Sequence, residues 1–135
     1  MEQQELELLM KESAQNAVET AKTVFDIELD FTRQSVQLVD DIILMFLEKF
    51  KDEALEDTAV FTICNIYGAY LGEVFRQELG GLWKYENADS DEPHVLLALG
   101  DRAYAFAGIC YQRLVNDSQI SVYRYFEKAR QNHTN

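Results

Sequence analysis

The sequence predicts an α+β domain that is mostly helical, with four to five helices and a small antiparallel β-element. Three observations predict it. Long stretches carry apolar residues at three- and four-residue spacing, the signature of helices with one buried face. After the pair Gly80-Gly81 the pattern changes to two short runs, Leu82 to Glu86 and Val95 to Leu99, which read as strands joined by a polar loop. The chain has 135 residues and no internal repeat, low-complexity tract or linker, so residues 1–135 are expected to fold as a single domain. A domain of that size buries about two thirds of its unfolded surface, enough for one core.

The first helix is predicted from Gln3 to Val24, with Leu6, Leu9, Met10, Ala14, Ala17, Val18, Ala21 and Val24 inside and a Glu- and Gln-rich outer face. From Phe25 to Phe31 the sequence alternates strictly, FDIELDF, which fits a short strand or an extended connection. Asp26, Glu28 and Asp30 share its polar side. Without further ligands or a glycine turn they read as a solvated face and not as a cation site. Asp30 or Thr32 can cap the second helix, whose apolar positions are Val36, Val39, Ile42, Ile43, Phe46, Leu47 and Phe50. Asp40 and Asp41 lie on it as neighbours that cannot share a face, which fits solvated or capping charges. The charged run Lys51 to Asp57 connects it to the third helix.

That third helix, about Thr58 to Leu79, is expected to be central. Phe61, Ile63, Ile66, Tyr67, Tyr70, Leu71, Val74 and Phe75 form a stripe broad enough for burial on more than one side. Cys64, Gly68 and Gly72 are four apart and stack on one face, where absent side chains let another backbone approach. Each interior glycine costs roughly 1 kcal/mol relative to alanine, so a crossing helix is expected to compensate. Glu73 and Arg76, three apart, can pair across one turn.

These residues resemble a family of small bacterial domains of unknown function that carry a Gly-x-Tyr-Leu-Gly-Glu helix followed by Gly-Gly-x-Trp. The matching positions are Gly68, Tyr70, Leu71, Gly72 and Glu73, then Gly80, Gly81 and Trp83, with a weaker likeness from Leu29-Asp30 through Ser35 to Asp40. The likeness covers about half of the chain. It implies a shared fold and carries no catalytic residue.

Beyond the strands, the loop Asn87 to Pro93 places Asn87, Asp89 and Asp91 at the first three ligand spacings of an EF-hand. Glu92 stands where that loop needs glycine and Ala98 where it needs glutamate, so calcium binding is not expected. A further helix is predicted from about Arg102 to Val115, with Asp101 as N-cap and Phe106, Cys110 and Leu114 on one line. Asn116-Asp117-Ser118 then breaks the chain before a last helix, Gln119 to about Arg130, with Ile120, Val122, Tyr123 and Phe126 inward. Residues 131–135, QNHTN, are expected to fray.

Charge narrows the function. With 24 acidic and 12 basic residues the net charge is −12. Residues 1–67 hold 15 acids and 5 bases, and residues 68–135 hold 9 and 7, so the acidic face belongs to the N-terminal helices. Such a surface repels nucleic acid and anionic membranes and admits a basic protein partner; a homo-oligomer remains open. The N-terminus is acidic and polar, and the longest apolar run, Ile42 to Leu47, is far too short for a bilayer, so a soluble cytoplasmic protein is expected. Cys64 and Cys110, outside any CxxC pattern, read as buried thiols.

His94 and His133 build no metal-ligand or nucleophile motif, and no phosphate loop, dinucleotide fingerprint or GxSxG elbow occurs, so no cofactor and no catalytic residue is assigned. Two readings remain. In the first, a non-enzymatic interaction or regulatory module presents Glu12, Glu19 and Glu48 to a basic partner, one form being a toxin-neutralising immunity protein. In the alternative, a small-molecule binder or enzyme uses Tyr70, Glu73, Arg76 and Trp83 around a cleft, with Glu73 as acid/base and Arg76 as anion anchor. A purely architectural ion pair between Glu73 and Arg76 is the simpler account of that cluster.

Overall fold

The computed structural model describes residues 2–49, 56–86 and 94–133. In chain order they form α1 (Gln3–Phe25), a 3-10 turn (Arg33–Ser35), α2 (Val36–Lys49), α3 (Asp57–Leu79), β1 (Leu82–Glu86), β2 (His94–Leu99), β3 (Arg102–Tyr104), α4 (Phe106–Tyr111), a π-helical segment (Gln112–Asn116) and α5 (Val122–Gln131). The mostly helical α+β class is therefore the observed one. The connector after α2 and the acidic loop between β1 and β2 fall mainly outside the described residues.

α3 is the axis. An unbroken buried run from Ile66 to Gly72 shows that it is enclosed on nearly every side in its middle turns. α1 packs along one flank through Ala14, Ala17 and Ala21, whose small side chains let the two helices come close, and the Tyr67 hydroxyl donates to the Ala17 carbonyl at 3.1 Å. α4 packs on another flank. A Cβ on Gly68 would lie 2.5 Å from the Ala107 backbone nitrogen, which is the close helix crossing that the glycine spacing predicts. Gly72 serves a different neighbour: a Cβ there would overlap the Trp83 indole, delivered by β1.

α2 and α5 pack on each other, and Phe46 joins α2 to the rest through rings of Phe25 at 4.8 Å and Tyr67 at 6.2 Å. The sheet has the order β1-β2-β3, antiparallel throughout. Its register aligns Trp83 with Leu97 and Leu97 with Tyr104, so these three buried side chains share the inner face. Phe75 meets Tyr104, Phe106 and Phe126 behind them.

Several boundaries differ from the sequence reading. Residues 102–104 form a third strand instead of the start of a helix, because Tyr104 pairs with Leu97; Asp101 lies in the turn, and α4 starts at Phe106 without a side-chain cap. α5 begins at Val122 and not at Gln119, because Ser121 caps it. Segment 26–32 is an extended connection without strand partners, entered and left through residues of positive φ, Asp26 at 56° and Phe31 at 62°. Leu9, Val24 and Phe61, expected inside, are 42%, 41% and 43% exposed: Val24 sits at a helix end, while Phe61 stacks on Tyr111 at the molecular surface. Of the terminal residues expected to fray, Gln131 closes α5 and His133 Nε2 lies 2.8 Å from the Tyr104 hydroxyl.

Candidate functional site

β1 folds back over the C-terminal end of α3 because α3 stops at Leu79 and two glycines follow. Gly80 and Gly81 take φ of 90° and 114°, conformations that side-chain-bearing residues rarely adopt, and this reverses the chain within two residues. The reversal brings Trp83 to Glu73. Glu73 Oε2 accepts from the indole Nε1 at 2.9 Å and from Arg76 Nη1 at 3.0 Å. Arg76 Nε donates to the Gly81 carbonyl at 3.3 Å, and its Nη2 lies 3.6 Å from Glu7 on α1. This ion pair thus ties α1, α3 and the glycine turn together and supplies the buried indole with its acceptor.

Tyr70 and Trp83 are 0% and 1% exposed, so neither ring offers a face to a ligand. The Tyr70 hydroxyl accepts from the Phe31 N–H at 2.8 Å and shares a 2.6 Å hydrogen bond with Ser35; burial raises its pKa, so it remains a neutral phenol. Glu73 and Arg76 sit at the edge of the core, and on their outer side lies a groove of about 440 Å³. Besides those two it is bounded by Lys11, Phe31, Gln77 and the glycine turn. Lys11 and Phe31 carry no sequence signal for this placement, since they lie far from α3 in the chain.

The acidic residues singled out for a partner are placed differently. Glu12 and Glu19, seven apart, lie on the outer side of α1, and Glu48 lies on the outer side of α2; all three are exposed. None makes a hydrogen bond or ion pair with another described residue. Asp26 and Glu28 are both taken by Lys22, at 2.8 and 3.3 Å. Among the described residues no group of three His, Cys, Asp or Glu side chains is placed to hold a metal ion.

A second polar node was only partly legible. Asp40 accepts the N–H groups of Val122 at 2.7 Å and Tyr123 at 3.0 Å and the Ser121 hydroxyl at 2.8 Å, so it caps α5 from another helix, whereas Asp41 is exposed. Arg113, 9% exposed, donates to the carbonyls of Asp40, Ser118 and Ile120 and lies 3.3 Å from the Asp40 carboxylate. Every group in this node has its partner, and its role is architectural. Cys64 and Cys110 are buried free thiols; burial pushes Cys64 up to about 12 and Cys110 well above its ordinary value, so neither is a ready nucleophile.

No family model, no curated protein and no solved structure matches the chain. Among the described residues, no helix is long and apolar enough to cross a membrane.

Proposed function

We propose that the protein is a non-enzymatic interaction module whose acidic helical face, on α1 and α2, receives a basic protein partner. One contrast carries this reading. Glu73, the carboxylate a catalytic role would require, already accepts hydrogen bonds from Trp83 and Arg76, whereas Glu12, Glu19 and Glu48 project into solvent with no partner among the described residues. Exposed like charges repel one another, and a cationic surface that docks on them relieves that repulsion and accelerates encounter. A toxin-neutralising module of the immunity type, of the kind found among small acidic bacterial domains, fits this charge distribution. Two buried thiols and an acidic surface fit a reducing cytoplasm and disfavour nucleic acid and anionic lipid as partners.

The test is capture from native lysate with the wild-type protein and with a triple variant, Glu12→Lys, Glu19→Lys and Glu48→Lys. A basic protein retained stoichiometrically at low salt, released at high salt and absent from the variant's capture is the expected result. Equal retention by both proteins would overturn the assignment of the surface. Loss of function on Glu73→Gln in a variant that stays folded would favour the small-molecule reading instead.

A further inference from the structure

The groove beside Arg76 combines features that the architectural role of the ion pair does not use. Arg76 places Nε on Gly81 and Nη1 on Glu73, but Nη2 lies 3.6 Å from Glu7, beyond hydrogen-bonding distance, so this nitrogen retains N–H groups to donate. Lys11, one turn after Glu7 on α1, is exposed, borders the same groove and forms no ion pair with a described residue. Two cationic residues from different helices therefore border one space, while Glu7 and Glu73 balance their charge. The site is neutral before a ligand arrives, so a monoanion leaves it one charge negative and a dianion two, and the monoanion is the less opposed of the two.

Phe31 also lines the groove. Its φ of 62° is a left-handed conformation that an aromatic residue rarely adopts, and both of its backbone groups are held in place by side chains. Its N–H goes to the Tyr70 hydroxyl at 2.8 Å and its carbonyl accepts from Gln77 at 3.3 Å. The ring rests on Tyr70 at 4.8 Å and remains partly exposed toward the groove. Gly80 and Gly81 contribute only backbone to its lining. The groove, about 440 Å³, is open to solvent along much of its length, so a ligand there is held on one side and not enclosed.

We infer that this groove binds a small monocarboxylate with a flat apolar body, its carboxylate between Lys11 and Arg76 Nη2 and its body on the Phe31 ring. None of Glu12, Glu19 and Glu48 lines this groove, so the test below does not depend on the partner-binding reading. The experiment is titration of isotopically labelled protein with benzoate, and in parallel with acetate and chloride, followed by amide chemical shifts. Benzoate is expected to shift Phe31, Gln77, Gly80 and Gly81 saturably. Acetate should bind at least tenfold more weakly, for want of a body to rest on Phe31, and Lys11→Glu should weaken benzoate at least tenfold. Lys11→Met, which removes the charge without reversing it, should fall between. Absence of saturation, an equal response to acetate or chloride, or unchanged benzoate affinity in both Lys11 variants would overturn the assignment.

Discussion

Gly72 and Trp83 are one unit, since the indole fills the space where a side chain on α3 would stand. Gly72→Ala is accordingly expected to lower unfolding free energy by about 2–3 kcal/mol, despite alanine's better helix propensity, because the ring cannot retreat into a filled core. Urea denaturation checks this, and a stabilised variant would contradict the packing. Glu73→Gln keeps an oxygen for the indole but gives up the charge facing Arg76, so a loss of about 1–2 kcal/mol is expected by the same measurement. At Cys64 and Cys110, burial keeps the thiol protonated. In native protein at pH 8 both should resist a disulfide reagent and react promptly once denaturant is added.

Between elements, carboxylates far apart in sequence from their partners decide how helices meet. Asp40 links α2 to the start of α5 and faces Arg113, so Asp40→Ala leaves two N–H groups and a nearly buried guanidinium without their anion. A cost of about 3 kcal/mol is expected, with Asp40→Asn losing less, read from thermal or chemical unfolding. Glu127 on α5 plays a similar part toward the 3-10 turn, with Arg33 Nε at 2.7 Å and Arg130 Nε at 3.2 Å. Partial burial works against its charge, but the hydrogen bonds from the two arginines prevail and hold its carboxyl below the usual range. The folded state then binds fewer protons than the unfolded state. The stabilisation is complete above the ordinary glutamate pKa and disappears as pH falls through the lowered folded value. Glu127→Gln should flatten that acid limb of a stability-versus-pH curve.

For the whole molecule, a charge of −12 concentrated in the N-terminal half means that added salt screens self-repulsion. The triple reversal of Glu12, Glu19 and Glu48 changes net charge from −12 by 6 units without removing an observed contact, so it should leave unfolding temperature the same or slightly higher. A large loss of stability would show that these residues serve the fold and not a partner.

The sequence by itself determined the helical periods, the glycine approach on the central helix, the two main strands, the burial of both thiols and the bias of charge. Each of these follows from neighbours within a few turns of chain, where spacing alone dictates which residues share a face. It also placed Glu73 and Arg76 together, because a three-residue separation needs no tertiary information. Only the tertiary structure decided that β3 replaces the start of a helix, that Asp40 caps α5 across more than eighty residues, and that Trp83 spends its N–H on Glu73. It alone brought Lys11 and Phe31 to Arg76. Those outcomes depend on which surfaces meet once the core closes around α3, and contacts between distant segments leave no period in the chain for a reader to follow.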